Sequence, residues 1–236
     1  MLQGFNKLTE VERAFLILLG GLANDLTILG KLEAAADRQP TDELELKANA
    51  VLQLVLLRLL GARIWQSWKL LEGYYQGPVL KESTWLRDHT AIQEGINKLK
   101  RKLRDGCVWE RIRSEFAYHY DADALAHALS NDVLGGEFEL VSGERVINSF
   151  FISSEAAIWF SILKVQDDST FSEAFAPLVQ EAVNLTFELV PVIRELVAAF
   201  VDHVVNDLGG SWKVTSSTRA ISVVRYEESI LPLFGA

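Results

Sequence analysis

Residues 109–121 contain side-chain types that can act together on a phosphodiester bond. Arg113 provides a fixed cation, Ser114 a hydroxyl and His119 an imidazole, and a carboxylate follows two residues later. An arginine can bind phosphate through two parallel charge-assisted hydrogen bonds and stabilise negative charge in the transition state. A histidine can take a proton from a ribose hydroxyl or give one to the leaving oxygen. This chemistry requires no metal ion.

The spacing of Arg113 and His119 does not place them on one face of an unbroken helix. Six residues turn a helix by about 600° and advance it by about 9 Å, so the two side chains lie about 120° apart. Either the long arginine side chain reaches round the helix, or a second subunit brings a matching pair into one cleft.

The same residues resemble a known family. Arg113, Ser114 and His119 look like the Arg-polar-x(3–5)-His signature of HEPN domains, and the run Ile-Arg-x-x-Phe-Ala-x-His-Tyr-Asp is similar to members associated with phage defence and abortive infection. The resemblance implies a helical bundle, usually dimeric, and often a metal-independent endoribonuclease. It implies that Arg113 binds phosphate and that His119 is the catalytic histidine. Ser114 takes the polar position, where many members have Asn or Asp.

A structural interpretation of these residues involves no catalysis. Phe116 and Tyr120 lie four apart, with Ile112 one turn earlier, and the three predict a core-facing stripe. Arg113 would then pair with Glu110 or Asp121, and the histidine would be a hydrogen-bonded residue at a helix end. The sequence thus leaves two hypotheses: a ribonuclease, and a non-catalytic helical interaction or regulatory protein with the same fold.

A run of cations lies just upstream of this segment. The candidate RNA-binding residues are Lys98, Lys100, Arg101, Lys102, Arg104 and Arg111. Such a patch can follow a phosphate backbone even on an acidic protein. The alternative is a solvated helix face whose cations suit the C-terminal end of the helix dipole.

Other kinds of active site find no support in the sequence. It contains no Gly-x-Gly-x-x-Gly, no phosphate loop ending in Gly-Lys-Ser/Thr, no Gly-x-Ser-x-Gly elbow and no Glu-x-x-His pair. The residues that come nearest to a metal cluster are His119, Asp121, Asp123 and His127. We interpret them instead as an inter-helix turn in which Asp121 or Asp123 is the N-cap of the next helix. We therefore expect no metal and no cofactor.

The composition is that of a globular protein from a reducing compartment. The 236 residues are 49% hydrophobic and 23% charged, and Cys107 is the single cysteine. The net charge of −9 argues against a non-specific nucleic-acid coat. The apolar runs at residues 14–23 and 51–65 are interpreted as buried core helices, because the first is short for a membrane span and the second carries two arginines. We expect a cytoplasmic protein with no membrane segment.

Helical periodicity predicts an all-α fold, a bundle of long antiparallel helices. Thr9 and Glu12 form a capping-box pattern that opens a helix running to about residue 38. Thr41 is expected to cap a second helix that ends near residue 74. A third helix is predicted over residues 84–104, and another begins near residue 108.

The C-terminal half is predicted to contain two more helices. Ser153 or Ser154 is expected to cap the first, and the second covers residues 172–208 with a kink near Pro191. On that last helix, His203 and Asp207 are interpreted as a surface hydrogen-bonding pair.

A small β-hairpin is predicted as an insertion between the helices, at about residues 136–150. Alternation predicts strands at residues 137–141 and 145–147, on either side of Ser142-Gly143. We expect one domain over residues 1–208 and an extended tail over 209–236. The expected partners are a second copy of the chain, an RNA substrate and, as a candidate, a protein antitoxin or regulator.

Overall fold

A computed structural model describes residues 2–36, 42–77, 80, 83–87, 89–117, 121–129, 138–141, 149–164 and 168–212. The α-helices in this part are α1 (Glu10–Ala36), α2 (Glu43–Leu71), α3 (Thr84–Arg87), α4 (Thr90–Lys102), α5 (Val108–Arg111), α6 (Ala122–Leu129), α7 (Ile152–Leu163) and α8 (Asp168–Asp202). One 3₁₀ turn covers Phe5–Lys7. The all-α fold class is confirmed.

Three of these helices continue directly into π-helical segments. The first π segment (Glu72–Gln76) follows α2, the second (Ile112–Ala117) follows α5 and the third (His203–Asp207) follows α8. A π turn inserts an extra residue into the helical repeat and is often found at functional sites.

Within the described ranges, four short strands form two antiparallel pairs. β2 (Leu140–Val141) pairs with β3 (Phe150–Phe151), so the small hairpin is confirmed. Its second strand lies later in the sequence than predicted, and residues 145–147 lie outside the described residues. β1 (Leu2–Gln3) pairs with β4 (Ser211–Trp212), a pairing that the sequence did not predict. Of the predicted tail, only residues 209–212 are described.

Two of the predicted helix caps are present. The Glu12 carboxylate accepts a hydrogen bond from the Thr9 N–H at 3.0 Å, and the Glu12 N–H donates to the Thr9 hydroxyl at 3.3 Å. This reciprocal pair is the predicted capping box. Asp121 caps α6 as predicted, because its carboxylate accepts the Ala124 N–H at 2.9 Å. Each cap satisfies a main-chain donor that has no partner within the helix.

Two other caps differ from prediction. Asp42 accepts the Glu45 N–H at 2.8 Å and caps α2, whereas Thr41 lies outside the described residues. The prediction of a serine cap for α7 is wrong, because the N-cap is Phe151. Ser153 instead lies in the first turn, where its hydroxyl accepts the Glu139 N–H at 2.6 Å.

The predicted helix over residues 84–104 is divided into α3 and α4. His89 has extended backbone angles (φ −86°, ψ 97°) between them. Leu86 and Ile92 are both buried, so the break lets each short helix direct an apolar side chain inward. α8 begins four residues earlier than predicted and runs through Pro191.

The chain divides into two compact units. Unit 1 contains Met1–Ile28, Arg63–Arg104 and Asn184–Val223, and unit 2 contains Leu29–Ala62, Asp105–Val183 and Val224–Ala236. The single domain expected over residues 1–208 stays a prediction.

Unit 1 has an aromatic core. Phe15 stacks on Tyr74 with ring centroids 5.0 Å apart, and Phe200 lies 6.0 Å from Phe15. The indole of Trp85 meets Phe200 edge-on at 5.0 Å. These contacts bring α1, α8 and the first π segment together within the unit.

Unit 2 is built around two buried tryptophans. Trp109 packs against Gly61 of α2, where an added Cβ would lie 2.9 Å from the indole. The indole N–H of Trp159 donates to the main-chain oxygen of Leu54 at 3.0 Å. Trp159 also meets the ring of Phe175 edge-on at 5.2 Å.

The two apolar runs have different environments. Residues 51–65 include a series of buried side chains, as predicted for a core helix. In the run at residues 14–23 only Phe15 and Leu19 are buried, and Ile17 and Leu18 are 63% and 45% exposed. The prediction of a buried helix is therefore wrong for most of this run.

Two helical stretches, Glu10–Glu33 and Glu43–Gln76, are long and apolar enough to cross a membrane. The core helices of soluble proteins meet the same criterion, so the cytoplasmic location stays a prediction.

Candidate functional site

The candidate site begins on the second π segment of unit 2. Ile112 and Phe116 are buried, which confirms the core-facing stripe for these two positions. Arg113 and Ser114, between them, are exposed. The packing of the apolar pair therefore holds the candidate phosphate-binding residue at the surface.

The side chain of Arg113 has no hydrogen bond or ion pair with any other residue that the structure describes. The two carboxylates that could neutralise it have other partners. Glu110 accepts the Gly106 N–H at 2.5 Å, and Asp121 caps α6. The structural interpretation, in which one of these carboxylates pairs with Arg113, is therefore not what the described residues show.

Ser114 has a local hydrogen bond. Its hydroxyl donates to the main-chain oxygen of Glu110 at 2.8 Å, one turn earlier. A serine that bonds back to its own helix satisfies a carbonyl oxygen there. Its proton is therefore directed at the backbone, while its oxygen lone pairs remain able to accept.

His119 lies outside the described residues, together with its neighbours 118 and 120. The chain on either side is described, and the Asp121 N–H donates to the main-chain oxygen of Glu115 at 3.0 Å. This bond brings Asp121 back to the π segment that carries Arg113.

A buried ion pair anchors the end of that π segment. Arg58 of α2 lies 3.1 Å from the Glu155 carboxylate of α7, and their side chains are only 8% and 13% exposed. Arg58 also donates to the main-chain oxygen of Phe116 at 3.2 Å. Burial raises the pKa of Glu155 above its ordinary value, although the Arg58 charge acts in the opposite direction.

The basic run lies at the C-terminal end of α4 in unit 1. Lys98 and Lys102 both pair with Glu188 of α8, at 2.9 and 2.7 Å. Burial opposes the charge on Glu188, but hydrogen bonds from the two lysines outweigh it and lower the pKa of that carboxyl. Two of the predicted RNA-binding cations are therefore already neutralised.

The other cations of the run are exposed. Lys100 and Arg104 have no partner in the described part of the chain, and Arg101 donates to the main-chain oxygen of Asn97 at 3.3 Å. Arg111 belongs to unit 2, like Arg113, and is half-buried. The candidate RNA-binding residues therefore divide between the two units.

The other titratable residues singled out in the sequence form no metal site in the described part of the chain. Within the described ranges, no group of three or more His, Cys, Asp or Glu side chains is placed to bind a metal. The predicted pair of His203 and Asp207 is confirmed at 2.7 Å. The sequence did not predict that Trp85 stacks on His203, with ring centroids 4.0 Å apart.

Sequence reasoning missed the part played by Arg58. A cation that is buried in an apolar helical run needs a partner, so the presence of Arg58 in such a run indicates a buried ion pair. The partner itself is 97 residues away in the sequence, so local spacing does not identify it.

Comparisons of the chain with family models, curated proteins and solved structures find no match. The resemblance to HEPN domains therefore rests on residues 112–121 and on the helical fold.

Proposed function

We propose that this chain is a HEPN-like, metal-independent endoribonuclease in which Arg113 binds the scissile phosphate and His119 transfers the proton. The observation that carries the proposal is the state of Arg113. It is exposed on a π segment and has no partner among the residues described, while Glu110 and Asp121 are engaged elsewhere. An uncompensated guanidinium presents two parallel donors to a phosphate.

The proposed reaction is an internal transfer at phosphorus. The ribose 2′-oxygen attacks phosphorus as His119 takes its proton, and the bond to the 5′-oxygen breaks as that oxygen receives a proton from a solvent water molecule. The products are a 2′,3′-cyclic phosphate and a 5′-hydroxyl. Arg113 stabilises the charge that develops on the non-bridging oxygens. The Ser114 hydroxyl donates its proton to the main-chain oxygen of Glu110, so towards substrate it can act only as a hydrogen-bond acceptor.

The basic run supports RNA binding, although fewer of its cations are free to contact phosphate than the sequence predicted. Lys100, Arg101 and Arg104 are exposed and can contact phosphates, whereas Lys98 and Lys102 must first leave Glu188. The proposed active form is a homodimer, because the resemblance implies one and because a second copy can supply a matching arginine and histidine.

A second candidate function is a non-catalytic interaction protein. Exposed apolar side chains along α1 favour it, notably Val11, Ile17, Leu18 and Ile28. A row of exposed apolar residues on a helix is typical of a surface that receives a partner protein. The partner would be an antitoxin or regulator.

The test is RNA cleavage in EDTA. Purified protein is incubated with a mixture of structured and single-stranded RNA, alongside the variants His119→Ala, Arg113→Ala and Arg194→Ala. Arg194 is an exposed arginine of α8 and serves as the matched control. We expect His119→Ala to lower the rate by a factor of about 10² or more. Arg113→Ala should also be strongly impaired, and Arg194→Ala should cleave like the wild type.

Two results contradict the proposal. One is cleavage that persists in both His119→Ala and Arg113→Ala, and the other is cleavage that EDTA abolishes. Absence of cleavage in every protein would support the interaction protein instead.

A further inference from the structure

A polar cleft in unit 1 contains none of the residues assigned to the proposed ribonuclease site, although its Asn97 accepts a hydrogen bond from Arg101. Its lining residues are Tyr75, Gln76, Arg87, Gln93, Ile96 and Asn97. Tyr75 and Gln76 come from the first π segment, Arg87 from the end of α3, and the others from α4. The cavity has a volume of about 240 Å³.

Arg87 gives the cleft a positive charge. It is the one charged side chain among these lining residues, and it has no ion pair with any residue in the described ranges. Its main-chain oxygen accepts the side-chain amide of Gln93, which fastens the end of α3 to α4. Because the described lining residues include a guanidinium and no carboxylate, this part of the cleft favours an anion over a cation.

Tyr75 adds a buried hydroxyl that lacks a partner. The residue is only 8% exposed, and its hydroxyl forms no hydrogen bond with the part of the chain described. A buried polar atom without a partner calls for an explanation, and an ion bound beside it is one such explanation. Burial raises the pKa of the phenol, and the nearby Arg87 charge opposes that rise, so the group remains a neutral donor at pH 7.

The backbone before the cleft is tightly constrained. Gly77 directly follows the first π segment, and a Cβ added there would collide with the main-chain carbonyl of Gly73. Only glycine therefore allows the chain to leave the π segment along this path. The two residues that precede Gly77, Tyr75 and Gln76, both lie in the wall of the cavity.

We propose that this cleft binds the phosphate group of a small phosphorylated molecule, with Arg87 as the cation and the Tyr75 hydroxyl as a buried donor. Donors from a guanidinium, a phenol and three side-chain amides suit a group with three or four acceptor oxygens. The volume is below the roughly 300–1,000 Å³ of usual ligand pockets, so it fits a phosphate group better than a whole nucleotide. The proposal shares no residue with the proposed ribonuclease site and does not depend on it.

The test is calorimetric titration of the full chain with inorganic phosphate, ribose 5-phosphate and ribose. The variants are Arg87→Gln and Tyr75→Phe, with Arg194→Gln as an exposed-arginine control in the same unit. We expect phosphate binding that weakens about tenfold or more in Arg87→Gln and several-fold in Tyr75→Phe, and that is unchanged in the control. Ribose alone should not bind. Tighter binding of ribose 5-phosphate than of phosphate would identify an ester as the ligand, and the reverse would identify free phosphate.

Thermal unfolding separates binding from folding. Tyr75→Phe removes a hydroxyl that has no partner, so without phosphate its Tm should equal or exceed that of the wild type. Phosphate should raise the Tm of the wild type by more than that of either cleft variant. Equal phosphate affinity in the wild type and Arg87→Gln would overturn the proposal. Absence of binding by both phosphate compounds at concentrations up to about 20 mM would also overturn it. RNA cleavage by Arg87→Gln should match the wild type, so the two proposals fail independently.

Discussion

Arg58 donates a hydrogen bond to the main-chain oxygen of Phe116 at 3.2 Å. The acceptor lies near the end of the second π segment, where carbonyl oxygens lack partners within the helix. Because Arg58 also pairs with Glu155 at 3.1 Å, one buried cation connects α2, α7 and the segment that carries Arg113. The position of the candidate phosphate-binding residue therefore depends on a buried ion pair that joins its segment to α2 and α7.

Replacement of Arg58 should destabilise unit 2. Arg58→Met keeps an unbranched apolar side chain but leaves the Glu155 carboxylate buried without its cation. The expected loss in the free energy of unfolding is about 3 kcal/mol, since removing one partner of a buried pair leaves an uncompensated charge. Urea denaturation measures it, and hydrogen exchange at residues 112–117 should become faster. Lys47→Met removes a solvent-exposed pair with Glu43 and Glu139 and should change stability little. Equal losses in the two variants would contradict the role assigned to Arg58.

Two glycine-to-alanine changes should have opposite signs. At Gly61 an added Cβ would lie 2.9 Å from Trp109 and 3.2 Å from Ile112, and both side chains are fully buried. Overpacking there should cost about 1–3 kcal/mol. At Gly20 of α1 no described atom outside the adjoining helix backbone lies within 4 Å of the added Cβ, so alanine should stabilise by about 0.5–1 kcal/mol. Thermal unfolding of both variants checks the contrast, and a stable Gly61→Ala protein would show that the indole can shift.

Features that depend on neighbouring residues were predictable from the sequence. The Thr9–Glu12 capping box, the Asp121 cap and the His203–Asp207 pair all join residues three or four apart. Such interactions are decided by helix geometry alone. Ser153 shows the limit, because a residue type suited to an N-cap is bonded instead to Glu139, 14 residues earlier.

The hydrogen-bond partners of the residues around Arg113 were harder to predict from the sequence. Arg113 has two carboxylates close in the sequence, and only the folded chain shows that Glu110 is bound to the Gly106 N–H and Asp121 to α6. The polar cleft is also non-local, because Tyr75 and Asn97 reach it from different elements. In each case a contact between distant segments decides which polar groups remain available.

The stability of unit 1 should depend on pH through Glu12. Burial opposes its charge, but hydrogen bonds from Ser83, Thr9 and Trp85 outweigh burial and hold its pKa below the ordinary 4.5. A lowered pKa means that the stabilisation is complete above pH 4.5 and is lost as the pH falls through the folded-state value. Glu12→Gln should lower the free energy of unfolding by about 1.5–3 kcal/mol at pH 7.

The difference between wild type and Glu12→Gln should therefore shrink as the pH is lowered from 6 towards about 3. Chemical denaturation at several pH values measures it. Glu10→Gln, an exposed change in the same helical turn, is the control and should show no such trend. If the difference in the free energy of unfolding stays constant with pH, Glu12 stabilises unit 1 through packing and not through its charge.

Release of Lys98 and Lys102 from Glu188 should strengthen RNA binding. Glu188 holds both lysines, at 2.9 and 2.7 Å, and so withdraws two of the five cations at the end of α4. Glu188→Gln removes the competing carboxylate, and each lysine that then contacts a phosphate should steepen the salt dependence of single-stranded RNA binding by about 0.7 in log–log slope. Fluorescence anisotropy at several salt concentrations measures this change. Glu195→Gln, an exposed change on the same helix, should leave the slope unaltered. An unchanged slope in Glu188→Gln would show that Lys98 and Lys102 do not contact RNA even when they are released.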